Sequence, residues 1–179
     1  MKLYSYWRST TSFRARAALN LKQFEYEIVP VDLGQNEQGT PEFAQLNPLR
    51  GVPVLVLDDG TRLTQSLAIL DYLDATRPEP PMLPADKLLR NRVLAAALTI
   101  AQEIQPVNNL RVRAYLRDHR GQDRAAITTV MKHWMHEGFL ALQAQVDADS
   151  PFCFGDSPDM ADLCLTGQML NARRWDLDL

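Results

Sequence analysis

The chain has little of what marks nucleic-acid-binding, membrane-spanning or disulfide-rich proteins. Its 179 residues carry a formal net charge of -3, which is not the basic excess that a nucleic-acid partner requires. No apolar run approaches the ~20 residues of a membrane-spanning helix. The two cysteines, Cys153 and Cys164, are too few for a disulfide framework and form no CxxC pair. We therefore expect no nucleic-acid or membrane partner, no redox role for the thiols, and a reduced, cytoplasmic setting.

Metal ligands and targeting segments are equally scarce. His133 and His136 stand at helical spacing, but no third ligand accompanies them, so we predict no metal site. The opening residues Met1–Tyr4 are strand-like and lack the apolar stretch of a secretory signal. No internal repeat or low-complexity tract interrupts the chain. The remaining composition, 46% hydrophobic and 23% charged, is that of a soluble globular protein with a sizeable core.

Strand and helix patterns alternate in the first part of the chain, in the order β-α-β-α-β-β-α, complete by about residue 77. A proline-rich stretch, Arg77–Pro84, then predicts a linker. We predict an α/β domain over residues 1–80 and an all-α domain over residues 85–179. The predicted elements of the first domain are strands at Leu3–Trp7, Phe24–Val31, Val54–Leu57 and Arg62–Thr64, and helices from Phe13 to Leu21, from Thr40-Pro41 to Leu46, and over Ser66–Thr76.

Everything after the proline-rich stretch has helical periodicity. The predicted helices cover Lys87–Ile104, Asn108–Asp118 and Asp123–Asp147, with a fourth that begins at an Asp159 N-cap and continues through Leu170. Four apolar side chains of the third helix are expected in the core: Trp134, Phe139, Leu142 and Val146. Cys164 stands in an apolar helix and is expected to be buried, whereas Cys153, before a glycine turn, is expected at the surface.

Val52-Pro53 and Gln65-Ser66 together point to a peptide ligand. Pro53 leads into an apolar strand, where proline seldom occurs, so a cis bond there would turn the Val52 backbone outward. That backbone would be able to pair with an extended peptide, as in β-augmentation. Gln65-Ser66 opens a helix, whose first N–H groups favour an anion. The pair of motifs predicts a site for a small, extended peptide that carries a carboxylate.

Three consecutive hydroxyl residues, Ser9, Thr10 and Thr11, precede the first helical pattern. Backbone N–H groups and the helix dipole at that point favour negative charge and would shift a bound thiol towards its thiolate. A hydroxyl from Ser9 would donate a hydrogen bond to that sulfur. The alternative is that the three hydroxyl groups only cap the helix, which is the commonest use of such residues.

Seven segments in register resemble the glutathione transferases, and among them the zeta class, which includes maleylacetoacetate isomerases and related maleylpyruvate isomerases. They are Tyr4–Ser9, Arg14–Arg16, Leu46–Pro48, Val52-Pro53, Gln65–Ile69, Ile104–Pro106 and Met160–Leu165. The resemblance covers nearly the whole chain. It implies a thioredoxin-like N-terminal domain followed by a helical glutathione-transferase C-terminal domain.

The resemblance also implies an activity, glutathione-dependent cis–trans isomerisation of a maleyl keto acid to its fumaryl isomer, in a homodimeric enzyme of aromatic catabolism. It implies roles for three groups of residues. The thiol would be held by Ser9, with Thr10 and Thr11 beside it; the rest of glutathione by Val52, Pro53, Gln65 and Ser66; and the dicarboxylate substrate by Arg8, Gln105, Asn109, Arg111 and Arg174. Guanidinium groups suit that substrate because they bind carboxylates through two hydrogen bonds.

Two departures from the family pattern keep alternatives open. The class typically carries Ser-Ser-Cys where this chain has Ser9-Thr10-Thr11, so the family's cysteine is replaced by a threonine. Relatives usually continue past Asp176–Leu179, and we expect that this chain lacks their C-terminal tail. A general glutathione transferase or peroxidase, and a glutathione-binding protein without turnover, therefore stay open beside the isomerase. The exposed-surface interpretation of Arg111, Asn108 and Asn109 also stays open.

Overall fold

The computed structural model describes residues 1–178, and these fall into two compact units. The first unit is Met1–Met82 and the second begins at Leu83. The domain boundaries that we predicted, 1–80 and 85–179, and the functions assigned to them remain predictions. Among residues 1–178, no helix combines the length and the apolar character needed to cross a bilayer.

The first unit has the predicted order of elements around a four-stranded mixed sheet. The strands are ordered β2-β1-β3-β4, with β1 parallel to β2 and antiparallel to β3, and with β3 antiparallel to β4. In register, Tyr4 lies opposite Val54 and Leu3 lies opposite Leu55. The elements are β1 (Lys2–Ser5), α1 (Thr10–Leu21), β2 (Glu27–Pro30), α2 (Pro41–Leu46), β3 (Val54–Val56), β4 (Arg62–Thr64) and α3 (Ser66–Thr76).

Capping residues and turns fix these elements locally. Thr40 accepts a hydrogen bond from the N–H of Phe43 and so begins α2, with Pro41 at the first helical position. One face of the sheet buries Val31, Phe43 and Val54 as a core cluster. Strand β1 ends two residues earlier than predicted, at Ser5, because the chain turns at Tyr6 to meet α1; Trp7 is 73% exposed.

Lys22 and Arg77 bind the end of α1 to the end of α3 by exchanging hydrogen bonds. The buried Lys22 Nζ donates to Asp74 Oδ1 at 2.5 Å and to the carbonyl oxygens of Arg77, Pro78 and Pro80. Arg77 donates in return to the carbonyl oxygens of Lys22 and Gln23. The proline-rich stretch that we predicted as a linker therefore begins as a fixed part of the first unit.

The second unit is helical, as predicted, but its first helix changes type. An α-helix covers Lys87–Leu98, and a π-helical segment, Thr99–Ile104, continues it where we predicted a single helix. Helix α6 (Arg124–Gln143) approaches this segment closely: a Cβ on Gly138 would lie 2.3 Å from Ile104 Cγ1. The helices of this unit are α4 (Lys87–Leu98), α5 (Leu110–Arg120), α6 (Arg124–Gln143) and α7 (Met160–Arg174).

Two burial predictions for the second unit are wrong. Trp134 is 48% exposed, because the buried face of α6 runs through Ile127, Met131, Met135 and Leu142, and Trp134 lies beside that line. Cys153 is buried rather than at the surface, since its N–H donates to the Asp162 carboxylate.

The start of α7 is a capping box. Asp159 accepts from the N–H groups of Ala161 and Asp162, and the Asp162 side chain accepts from the N–H of Asp159. Burial and the nearby Asp162 charge raise the pKa of the Asp159 carboxyl to about 7. Asp162 thus joins the helix start to the Cys153 loop and has a structural role.

Candidate active site

The loop between β1 and α1 is held in one conformation by short-range hydrogen bonds. Ser9 has extended backbone and is the N-cap of α1; its Oγ accepts from the N–H of Ser12 at 3.1 Å. The Ser12 side chain in turn accepts a hydrogen bond at its Oγ from the N–H of Tyr6, at 3.4 Å. Thr10 is the first residue of the helix. The predicted capping role of Ser9 is therefore present, and it fixes the position of the hydroxyl at the positive end of α1.

Ser9 and Thr11 are also connected to the residue before Pro53. Ser9 Oγ and Thr11 Oγ1 are 2.8 Å apart, and Thr11 Oγ1 donates to the carbonyl oxygen of Val52 at 2.8 Å. The Val52-Pro53 peptide bond is cis, as its sequence context predicts. The structure thus brings together three of the predicted site residues from two separate parts of the sequence, which no helical or strand periodicity would indicate.

Gln65 and Ser66 begin α3 in the way an anion site needs. Gln65 has φ 65°, in the left-handed region that side chains other than glycine seldom adopt. Among the described contacts its side chain makes no capping hydrogen bond, so the first N–H groups of this 11-residue helix lack that partner. Backbone strain of this kind is concentrated at ligand sites.

Arg14 adds a buried positive group beside that helix start. Its guanidinium is 1% exposed, and Nη1 donates to Ser66 Oγ at 3.3 Å. Besides joining α1 to α3, this contact places a positive charge next to Ser66, which favours an anion at this helix terminus. Sequence alone did not reveal this, because the pairing spans α1 and α3.

Arg16 and Arg8 lie on either side of the exposed Trp7. Arg16 donates to Ser5 Oγ and to the carbonyl oxygens of Tyr6 and Trp7, and burial lowers the pKa of its guanidinium. Arg8 stacks over the Trp7 ring at 5.5 Å from its centroid. Arg16 thus makes structural contacts, whereas Arg8 is exposed at the beginning of the loop that carries Ser9.

A cavity of about 450 Å³ in the first unit lies next to this loop. Its lining consists of Ser5, Tyr6, Trp7, Arg16, Ile28, Pro30, Val31 and Asp32. The cavity therefore adjoins the segment that leads into Ser9, but Ser9 itself does not line it. Within the lining, Arg16 donates hydrogen bonds to Ser5 and Tyr6. The thiol position that we predicted is defined by Ser9, Thr11 and Val52 and not by this cavity.

The remaining predicted site residues belong to the second unit. Gln105 ends the π-helical segment, and Asn109 is the N-cap of α5, where its side chain accepts from the N–H of Arg111. Arg111, in the first turn of α5, and Arg174, the last residue of α7, are both exposed. Asn108 is buried and donates to the carbonyl oxygen of Ile104, so its side chain is not on the solvated face of a helix. The substrate contacts of this group stay predictions.

The residues of the first unit fit glutathione by their chemistry. A fixed hydroxyl at the N-terminus of α1 suits a thiolate, because both the helix end and an O–H donor stabilise negative charge on sulfur. The Val52 carbonyl offers an acceptor for a peptide N–H. The start of α3, with buried Arg14 beside it, suits a carboxylate. The structure adds three observations to the residues that the sequence had indicated: the hydrogen bond from Thr11 to Val52, the hydrogen bond from Arg14 to Ser66, and the positive φ of Gln65.

Comparison with known proteins agrees with this chemistry. The family described as "Glutathione S-transferase, N-terminal domain" matches residues 1–75. The maleylacetoacetate isomerase of Rhizobium meliloti is 48% identical over 99% of this chain and 84% of its own length.

Two solved structures are similar over both units. The holo structure of a maleylpyruvate isomerase, described as a bacterial zeta-class glutathione S-transferase, has a TM-score of 0.96 and 43% identity, covering 100% of this chain and 85% of that one. A maleylacetoacetate isomerase from Methylobacterium extorquens with bound malonate and glutathione has a TM-score of 0.95 and 38% identity, covering 99% and 85%. With the geometry at Ser9, Val52 and Gln65, these similarities identify the chain as a member of the zeta-class glutathione transferases, the family of the maleylacetoacetate and maleylpyruvate isomerases.

Proposed function

We propose that this chain is a glutathione-dependent isomerase that converts a maleyl keto acid, maleylacetoacetate or maleylpyruvate, to its fumaryl isomer. The observation that carries the proposal is the Ser9 hydroxyl, held at the N-terminus of α1 and hydrogen-bonded towards Thr11 and the Val52 carbonyl. It supports binding of an ionised thiol at that point. The relatives with 48% and 43% identity carry the isomerase names, which supports the choice of reaction.

The chemistry needs no nucleophile from the protein. When bound, glutathione supplies a thiolate that adds reversibly to the double bond, so that the bond turns as a single bond before the thiolate leaves again. The Ser9 hydroxyl and the helix end lower the thiol pKa by favouring the charged form. Threonine in place of the family's cysteine is compatible with this scheme, because Thr11 does not have to form a bond to substrate.

Arginine side chains account for recognition of the substrate. We assign Arg8, Arg111 and Arg174 to the substrate, with Arg111 and Arg174 binding its carboxylates and Arg8 stabilising the negative charge that develops on the enolate. Gln105 and Asn109 are assigned to hydrogen bonds with the same molecule. Both Arg111 and Arg174 are exposed residues, which supports contact with a small dianion from solution.

The decisive experiment is isomerisation by the purified protein. With glutathione present, we expect maleylacetoacetate or maleylpyruvate to be converted to the fumaryl isomer. Chromatographic separation of the two isomers measures the conversion. Parallel kinetics with the two acids identify the preferred one. Glutathione binding with no conversion of either acid would contradict the isomerase and favour a binding protein; conjugation of neutral electrophiles at higher kcat/KM would favour a general transferase.

Arg174 and its neighbour Arg173 provide a matched pair for the substrate assignment. Both are exposed residues in the last turn of α7. We expect Arg174→Ala to lower kcat/KM roughly 100-fold, since loss of a charged hydrogen bond is worth about 1.5–3 kcal/mol, and Arg173→Ala to leave it within about twofold. Equal rates for the two variants would remove Arg174 from the mechanism.

Membership of the family supports a proposal for the setting of the enzyme. We propose that it acts as a cytoplasmic homodimer in the breakdown of aromatic compounds, with the 1–80 domain binding glutathione and the helical domain binding the dicarboxylate. In the dimer, the N-terminal domain of one subunit would contact the helices of the other. Sedimentation of the purified protein at several concentrations tests the dimer directly.

A further inference from the structure

The hydrogen bonds around Ser9 have a defined direction. Thr11 has one hydroxyl proton, and it is donated to the Val52 carbonyl oxygen at 2.8 Å. The 2.8 Å contact between Ser9 Oγ and Thr11 Oγ1 must then use the proton of Ser9. Ser9 Oγ accepts from the N–H of Ser12. The chain of donors therefore runs from the Ser12 amide through Ser9 and Thr11 to the Val52 carbonyl.

This direction conflicts with donation from Ser9 to a ligand. A serine has a single hydroxyl proton, so Ser9 cannot donate to Thr11 and to a sulfur at the same time. If Ser9 turned its proton to the sulfur while Thr11 kept donating to Val52, two oxygen atoms 2.8 Å apart would face each other with no proton between them. The arrangement is satisfied only when Thr11 also turns and donates to Ser9.

The Val52 carbonyl can release Thr11 when another donor replaces it. An extended peptide that pairs with the Val52 backbone brings such a donor, its own amide N–H. In the reversed arrangement Ser9 Oγ accepts from both Thr11 and Ser12, and a hydroxyl that accepts more hydrogen bonds becomes a stronger donor. Binding of the peptide backbone at Val52 and stabilisation of the sulfur at Ser9 are then coupled through one threonine hydroxyl.

We propose that Thr11 is a positioning residue that reverses its hydrogen bond when glutathione occupies the Val52 carbonyl, and so strengthens the donation of Ser9 to the thiolate. The inference rests on the proposed function, because it requires glutathione with its sulfur at Ser9. Thr11 acts through Ser9 and does not itself touch the sulfur.

The pKa of the bound thiol tests this inference without turnover. Thiolate absorbance is titrated against pH for glutathione complexes of the wild type, Thr11→Val, Thr11→Ala and Thr11→Ser. Loss of the hydroxyl in either of the first two variants is expected to reduce the thiolate fraction at a given pH roughly two- to fivefold, the effect of one weakened hydrogen bond. Thr11→Ser keeps the hydroxyl and is expected to titrate like the wild type.

Two controls separate this role from other functions of Thr11. A purely structural role would weaken binding of S-methylglutathione, which has no ionisable thiol; we expect its Kd to change less than about twofold in Thr11→Val. In a Ser9→Ala background, Thr11→Val should cause no further change in the thiol pKa, because the effect passes through Ser9.

Three results would overturn the inference. The first is a thiol pKa that is unchanged in both Thr11→Val and Thr11→Ala, and the second is a thiol pKa in Thr11→Ser that differs from the wild-type value. The third is a further shift of the thiol pKa when Thr11→Val is added to Ser9→Ala, which would place Thr11 on the sulfur itself. Failure of the proposed function is a different result. In that case wild-type protein would neither hold glutathione as a thiolate nor isomerise a maleyl acid, whatever residue occupies position 11.

Discussion

Four oxygen atoms surround the ammonium group of Lys22 inside the first unit. Replacement by methionine keeps the length of the side chain and removes the donor from Asp74 and from the three carbonyl groups. We expect Lys22→Met to lower the free energy of unfolding by about 3–5 kcal/mol, as for other broken buried ion pairs. Urea denaturation of this variant measures the loss.

The same substitution at Lys87, an exposed residue at the start of α4, is the control. We expect it to change the free energy of unfolding by less than about 0.5 kcal/mol, as for most surface positions. If both variants lost the same free energy of unfolding, the buried hydrogen bonds of Lys22 would not contribute specifically to stability.

Asp159 predicts a pH dependence of stability. Its folded-state pKa of about 7 lies above the ordinary carboxyl value, so the protonated form favours the folded state. The contribution is complete below the unfolded pKa of about 3.9, declines as the pH rises, and is lost once the pH passes about 7. We expect wild-type stability to fall by about 2–4 kcal/mol through this window, and Asp159→Asn to fall less.

Thermal unfolding between about pH 5 and about pH 8 measures this difference. Asparagine is a good N-cap and retains an oxygen acceptor, so the capping bonds to Ala161 and Asp162 are preserved. Asp123→Asn, at the exposed N-cap of α6, is the matched control for exchange of a capping carboxylate for an amide. If the stability of Asp159→Asn fell with pH as much as that of the wild type, Asp159 would not be the source of the pH dependence.

At the scale of single residues, the sequence was informative where chemistry is local. Ser9 was predictable as a cap because serine and threonine are strongly preferred at the position that precedes a helix. The bond between Thr11 and Val52 was not, because it joins residues 41 positions apart. Burial of Cys153 was missed for the same reason: its partner, the Asp162 carboxylate, lies in the following helix.

At the scale of elements, Gly138 limits how α6 packs on the π-helical segment. An alanine Cβ there would come within 2.3 Å of Ile104 Cγ1 and 2.7 Å of its Cδ1. We expect Gly138→Ala to lower the free energy of unfolding by about 1–3 kcal/mol, the usual cost of overpacking. Chemical denaturation of the variant provides the measurement.

Truncation of Ile104 to alanine in the Gly138→Ala background is the companion variant. Because the truncation removes the clashing atoms, the double variant should lose less stability than the sum of the two single changes. A stabilised Gly138→Ala, as expected from helix propensity alone, would mean that α6 does not need the close approach.

Element boundaries were predictable where a cap or a turn marks them. Helix α2 and strand β4 have the predicted bounds because Thr40-Pro41 and Asp59-Gly60 precede them, and helix α3 has them because its apolar spacing begins at Ser66. The change to a π-helix after Leu98 was not predictable. Its buried residues Ile100 and Ile104 continue the spacing of an α-helix, so the apolar pattern is the same for both helix types.

At the scale of the whole molecule, ligand binding should stabilise the fold by mass action. Glutathione at about 100 times its Kd would add about 2.7 kcal/mol to the free energy of unfolding. For a chain of this size we expect a rise in Tm of roughly 5–10 °C. Differential scanning calorimetry with increasing glutathione measures it.

Ophthalmic-type analogues that lack sulfur separate the thiol from the rest of the ligand in the same experiment. We expect a smaller rise in Tm for them at equal multiples of the glutathione Kd, since the contribution of Ser9 is missing. No rise with any of these ligands would contradict binding at the first unit.

The family and the order of domains were predictable from the sequence because many short motifs stand in register along it. The site was predictable only residue by residue. Which hydroxyl donates to which atom depends on the three-dimensional approach of the β1–α1 loop to Val52, and the strained backbone of Gln65 leaves no mark in residue type.

The threonine at position 11 has one more consequence, for the durability of the catalyst. Both protein sulfhydryls, Cys153 and Cys164, are buried in the second unit, so the first turn of α1 offers nothing for an electrophile to alkylate or for peroxide to oxidise. An enzyme that handles reactive enones at this point thereby avoids being consumed by its own substrate.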